Sequence, residues 1–263
     1  MGGAERAERK RKQAAEVARA ATAVAAARDG GRSRVVVAGV AVVVLLAVVV
    51  GVGVWLQNRN APEDLPAAVP IAQPAAEYPV AVSGEEIVAG DPGAPVTIDV
   101  YEDFLCPACG AFEETYGVAL AQAVAQGRAV VRYHPVSILD EASEPEGYST
   151  LAAGAAFCAA EAGIFPALHD SLFGAQPAEG GPAWTRPQLT QLGRDLGAGE
   201  DFARCVRQGN EQRIDSATRS ASQRIADLRG DGQFGTPTVL VDGELADIGD
   251  PQWLEDALGA GAR

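Results

Sequence analysis

Two thiols three residues apart, Cys106 and Cys109, enclose a Pro107-Ala108 pair at the end of an apolar run from Pro95 to Leu105. Cysteines at this spacing can close into a disulfide, reopen, and so pass two electrons. If a helix begins here, Cys106 lies at its N-terminal end, where unpaired N–H groups and the positive helix end favour a thiolate. Pro107 suits the first turn because it has no N–H to leave unsatisfied. Cys109 follows one turn behind and deeper. That geometry makes Cys106 the exposed nucleophile and leaving group, and Cys109 the resolving thiol. Half of a zinc site is a competing reading, but it wants a second close Cys or His pair. Cys158 and Cys205 stand 49 and 96 residues beyond Cys109, and His134 and His169 stand alone. An inert structural disulfide is disfavoured by the strand-to-helix setting. Neither a metal nor an organic cofactor is expected, and both histidines read as structural.

The elements around the pair can be read from pattern. Val96, Ile98 and Val100 alternate with Thr97, Asp99 and Tyr101, which predicts a strand leading into Cys106. Residues 83–90 predict a short edge strand before it, and Asp91-Pro92-Gly93 a turn. Residues 110–126 are Ala-rich and helix-compatible, with Gly127 as their stop. Residues 129–134 predict a second strand, ended by Pro135. Residues 147–229 are helical in pattern, with breaks at Gly163, Pro166, Gly174, Gly180-Gly181-Pro182 and Gly197. Phe202 to Arg229 is the longest amphipathic stretch, weakened at Gly209. Residues 238–241 read as a strand, Asp242-Gly243 as a hairpin turn, and residues 251–258 as a closing helix with Asp250 as N-cap. Trp184 and Trp253 read as packing residues.

Upstream, residues 35–56 are 22 apolar or Gly residues without a charge. As a helix they span roughly 33 Å, enough for a hydrocarbon core of ~30 Å. Residues 1–34 carry nine basic and four acidic side chains, so the positive-inside rule keeps them cytoplasmic and sends the remainder outside. A cleaved signal peptide would have a shorter apolar region ending in small residues. Four segments follow: a basic tail (1–34), a single transmembrane helix (35–56), a Pro/Ala-rich linker (57–80) and an exported domain (81–263). The linker holds Pro62, Pro66, Pro70, Pro74 and Pro79 and reads as a semi-extended spacer. The net charge of −14 is therefore uneven. Residues 57–263 carry twelve basic and 31 acidic side chains, which argues against nucleic acid and anionic lipid as partners.

Asp103-Phe-Leu-Cys-Pro-Ala-Cys109, followed far downstream by Phe234-Gly-Thr-Pro-Thr-Val-Leu-Val-Asp-Gly243, resembles the thioredoxin superfamily. Within it the chain resembles the exported DsbA-like thiol–disulfide oxidoreductases, and among these the membrane-anchored actinobacterial type. The resemblance covers about residues 82–260. It implies an α/β, thioredoxin-like fold with a helical insertion at about 142–230. It also implies a cis Thr236–Pro237 bond beside the cysteines, with Thr236 backbone free to pair with an extended substrate. The activity implied is oxidation of dithiols in reduced or unfolded exported proteins. The partner implied is a quinone-linked membrane reoxidant, DsbB-like or vitamin K epoxide reductase-like. A reductase or isomerase of the same fold is an alternative, and a non-catalytic thioredoxin-like binding or chaperone domain another. One departure stands out. Family members carry a buried acid six residues before the first cysteine, and here that residue is Val100. Asp99, Glu102 and Asp103 are near but out of register.

Cys158 and Cys205 lie in apolar helical settings within the insertion. They read either as a structural disulfide or as two buried free thiols. Export to an oxidising compartment favours the disulfide. Phe104, Leu105 and Phe234 read either as an apolar surface for unfolded substrates or as core residues.

Overall fold

The computed structural model describes residues 65–260. The basic tail, the apolar run 35–56 and the first residues of the spacer lie outside the described residues. Among those described, no helix is long and apolar enough to cross a membrane.

The alternating run before the cysteines forms β3 (Val96–Glu102), the centre of a six-stranded sheet. Ahead of it lie β1 (Val80–Ser83) and β2 (Glu86–Ala89). They form a hairpin turned at Gly84, where residues 83–90 predicted a single edge strand. The backbone φ of +60° at Gly84 admits a two-residue turn. Behind β3 the chain runs into α1 (Pro107–Phe112), a single π-type turn (Glu113–Gly117) and α2 (Val118–Ala125). It returns through Gly127 into β4 (Ala129–Pro135), which pairs parallel to β3. After the insertion, β5 (Thr238–Val241) runs antiparallel to β3 on its other side. A turn at Asp242-Gly243, both at positive φ, leads to β6 (Glu244–Leu245). Strand order is β1-β2-β4-β3-β5-β6. The closing helix α8 (Trp253–Ala260) starts two residues later than its pattern predicts, and Asp250 Oδ1 accepts the Gln252 N–H at 2.9 Å.

Five helices fill the stretch between β4 and β5: α3 (Tyr148–Ala162), α4 (Phe165–Gly174), α5 (Arg186–Asp195), α6 (Glu200–Gln208) and α7 (Glu211–Arg229). Pro166 opens α4 rather than breaking a helix, since its fixed φ suits a first turn. Residues 202–229, read as one amphipathic stretch, are two helices parted at Gly209. A φ of +78° there reverses the chain, and few residues with a side chain would tolerate it. Ala-rich α3 runs through the middle, buried along almost its whole length. Its small side chains let α4, α6 and α7 approach closely.

The pairing of α5 with α6 depends on a missing side chain. A Cβ at Gly193 would run into the Phe202 ring. Gly193→Ala should therefore lower stability by about 1–3 kcal/mol through overpacking, although Ala favours a helix by up to ~1 kcal/mol over Gly. The denaturant midpoint measures the balance. A stabilised variant would mean that the two helices can separate freely.

From Leu65 onward the segment read as a semi-extended spacer lies along the domain. Val69 is buried in the core, and the Ala72 N–H donates to Ser171 Oγ at 3.0 Å. Val69 and Leu65 supply apolar contacts that a solvated spacer would lack.

Candidate active site

Cys106 caps the helix that leaves β3, with extended backbone (φ −71°, ψ 115°) and Pro107 immediately inside. Its carbonyl accepts the N–H groups of Cys109 at 3.0 Å and Gly110 at 3.1 Å, closing the first turn. The lead-in loop is pinned by Asp103, which is fully buried. Its Oδ1 accepts the Leu105 N–H at 2.9 Å and the Ser149 hydroxyl at 2.7 Å, and its Oδ2 accepts the N–H groups of Ile138 and Leu139. Burial pushes Asp103 up to about 6, despite these four donors. Gln176, from the loop after α4, donates to the carbonyls of Phe104 and Cys106, both at 3.0 Å. The insertion thus braces the cysteine loop directly.

Cys106 is 8 % exposed and Cys109 only 1 %. Both are free thiols. The Thr236–Pro237 bond is cis, and the Thr236 carbonyl faces Cys106 Sγ at 3.4 Å. The two half-motifs, 130 residues apart, therefore meet across β3 and β5. The neighbouring Cys109 thiol does most to hold the Cys106 thiol down to about 5. Burial opposes it, while Thr236 and the N–H groups of Cys109 and Ala108 add to it. Burial pushes Cys109 far upward. One thiol is thus held ready as an anion at neutral pH and the other as a neutral thiol.

Alkylation of reduced protein by iodoacetamide should rise through pH 5 and be level by pH 7, because the thiolate is the nucleophile. An ordinary thiol would still be gaining rate near ~8.5. A midpoint above pH 7.5 would contradict the site's electrostatics.

Val100 is fully buried between Val239 and Tyr133, so no acid stands at that position. Phe104 and Leu105 are fully buried core residues rather than a surface, and Phe234 is half-buried. Cys158 on α3 and Cys205 on α6 are bonded to each other. Asn210 Nδ2 lies 3.3 Å from one sulfur and 3.7 Å from the other. Neither histidine stands alone. His134 meets buried Asp99 at 2.8 Å and stacks on Tyr101. His169 meets buried Glu102 at 3.0 Å, with Glu113 beside it. Sequence reading missed Glu113 and Gln176. Neither carries a local signal, and each matters only because helices from different parts of the chain converge.

Both His–carboxylate clusters have atoms spaced as metal ligands could be. At Glu86–Asp99–His134, Arg132 and Arg224 approach Asp99 at 4.0 and 3.9 Å. Those two cations already supply the positive charge.

A low-pKa thiol at a helix start, a buried partner one turn on and a cis-proline carbonyl against the first sulfur define a thioredoxin-fold protein built for thiol–disulfide exchange. The family model described as thioredoxin matches residues 82–258, and the chain belongs to that family. Among solved structures it is similar to the reduced disulfide bond oxidoreductase DsbG of Mycobacterium tuberculosis. Identity is 31 % and TM-score 0.54, covering 66 % of this chain and 82 % of that one. It is similar to oxidised DsbA of the same organism, at 31 % identity and TM-score 0.54, covering 70 % and 92 %. It is also 30 % identical over 184 residues to the serine/threonine-protein kinase PknE of that organism, covering 68 % of this chain and 32 % of the kinase. The chain thus spans about a third of the length of the curated relatives it matches. Fold, site and these likenesses place it among thioredoxin-fold proteins of the DsbA-like type with a helical insertion.

Proposed function

We propose that the chain is a membrane-anchored dithiol oxidase that introduces disulfides into exported proteins through Cys106 and Cys109. A substrate thiolate attacks Cys106 Sγ of the internal disulfide, and the Cys109 thiolate leaves. A second substrate thiolate attacks the substrate sulfur of the mixed disulfide, and the Cys106 thiolate leaves. The substrate loses two electrons as its disulfide forms, and the protein gains them as a dithiol. The backbone at Thr236 would hold an extended substrate segment beside Cys106. The apolar run 35–56 would anchor the chain, with the catalytic domain outside. Reoxidation would fall to a quinone-linked membrane partner, DsbB-like or vitamin K epoxide reductase-like.

The observation that carries the direction is the depressed Cys106 thiol, which lies near 5 rather than 9.0. A group whose folded value is depressed contributes stability that is full above its unfolded value. That contribution is lost as pH falls through the folded one. At pH 7 it stabilises the reduced protein and not the disulfide form, so the disulfide is a strong electron acceptor. The test is the reduction potential of the full chain in detergent, equilibrated with glutathione. A value above roughly −200 mV is expected. A value near −270 mV, where thioredoxin lies, would make it a reductase.

A further inference from the structure

Glu102, Glu113 and His169 come from the end of β3, the π-type turn and α4, and they meet behind the catalytic helix. One ligand atom from each lies within 4.8 Å of the others. Glu102 is 1 % exposed and His169 3 %. Two oxygens of the cluster, Glu102 Oε2 and Glu113 Oε1, are buried without a hydrogen-bond partner. Leaving a buried carboxylate oxygen without a partner costs on the order of 1–3 kcal/mol or more, and the His169 imidazole, bonded to Glu102 Oε1, meets neither of these two oxygens. Among the described residues His169 is the basic group paired with Glu102, and no Arg or Lys lies within ion-pair range of either glutamate, in contrast to the Asp99 cluster.

His169 Nδ1 points to Asp170 Oδ1 at 3.5 Å, the carboxylate-on-imidazole support that orients a ligating His. Phe104, Tyr133, Phe165 and Phe173 wall the imidazole with rings. Gly117 makes room for the Glu113 carboxylate, since a Cβ there would stand 2.6 Å from Oε2. A cavity of about 620 Å³ reaches Glu113, His169 and Asp170 from outside, giving an entry path and space for a water ligand.

We propose that Glu102, Glu113 and His169 form a binding site for a first-row divalent metal ion, zinc in the first instance. One imidazole and two carboxylates with an open fourth position suit Zn²⁺ at ~2.0–2.1 Å per ligand. Ligands at that range stand roughly 3.3 Å apart in a tetrahedron. The 3.0 Å between His169 and Glu102 is already close to that, and Glu113, within 4.8 Å of the others, must close by up to about 1.5 Å. Ca²⁺ would want six to eight oxygens, which the cluster does not offer. The ion would tie β3, the catalytic helix and the insertion together, and this holds whichever direction the thiol chemistry runs.

The experiment uses the full chain in detergent, oxidised so that all four cysteines are bonded, and stripped with chelator. Zn²⁺ alone is titrated by calorimetry and Co²⁺ by absorption spectroscopy. One ion per chain is expected, with a rise in melting temperature and a Co²⁺ spectrum of nitrogen and oxygen ligands without thiolate charge transfer. Glu113→Gln and His169→Gln should each weaken Zn²⁺ binding by more than about a hundredfold, beyond the loss typical of a supporting residue. Glu86→Gln, in the other cluster, should leave it unchanged. No binding at 100-fold molar excess, or binding that Glu113→Gln leaves intact, would overturn the site. Should His169→Gln fail to fold, Glu113→Gln and the Co²⁺ spectrum decide alone.

Discussion

Cys106→Ser should reduce dithiol oxidation of a model peptide to the uncatalysed rate, and Cys109→Ser should fail differently. Serine cannot form the internal disulfide, so either change removes the oxidising equivalent. The difference lies in what remains. In Cys106→Ser the surviving thiol is 1 % exposed, and burial holds it protonated. It should neither alkylate nor form adducts at neutral pH. In Cys109→Ser the surviving thiol sits at the helix start under the Thr236 carbonyl. It should attack a substrate disulfide and then stop, because no second thiol is present to release the product. Non-reducing gels should show mixed disulfides with Cys109→Ser and none with Cys106→Ser. Equal trapping by both variants would remove the assigned division of roles. Undiminished activity in Cys106→Ser would point to a binding module.

Removing the Cys158–Cys205 link should cost more stability than Gly193→Ala. The bond closes a loop of sequence separation 47 between α3 and α6. Chain-entropy arithmetic for that length gives about 4 kcal/mol. In a domain of this size that corresponds to a fall in Tm of roughly 10 °C. The double variant Cys158→Ala with Cys205→Ala should show it, while the Cys106 alkylation profile stays in place. Thiol counting separates the two pairs further. The native oxidised protein should expose no alkylatable thiol, mild reductant should release two, and reduction after unfolding should release four. A double variant as stable as the parent would mean that packing around α3 already holds the insertion.

Several elements around the site are written locally in the sequence. The strand before Cys106, the helix after it, the strands at residues 129–134 and 238–241 and the Asp242-Gly243 turn all have local causes. Alternation of apolar residues, a proline in a first turn and a glycine at positive φ act over two to seven residues, and they leave a trace at that range. The helical insertion was legible for the same reason. Gly209 was harder, because a glycine within an amphipathic pattern is compatible with both a weak helix and a reversal. The hairpin at Gly84 and the fit of residues 65–79 against the domain depend on distant partners such as Val131 and Ser171.

By itself the sequence determined the chemistry available: two thiols at a helix start, and a Gly-Thr-Pro-Thr segment far downstream. Covalent spacing and local backbone preference set those features before any packing. Only the tertiary structure decided the state of that chemistry. It brought the Thr236 carbonyl to Cys106, buried Cys109 and laid Gln176 across the cysteine loop. It also drew Glu102, Glu113 and His169 into one pocket. A side chain's burial and its charged neighbours are properties of the folded surface around it. They are set by elements tens of residues apart, and no local pattern records them.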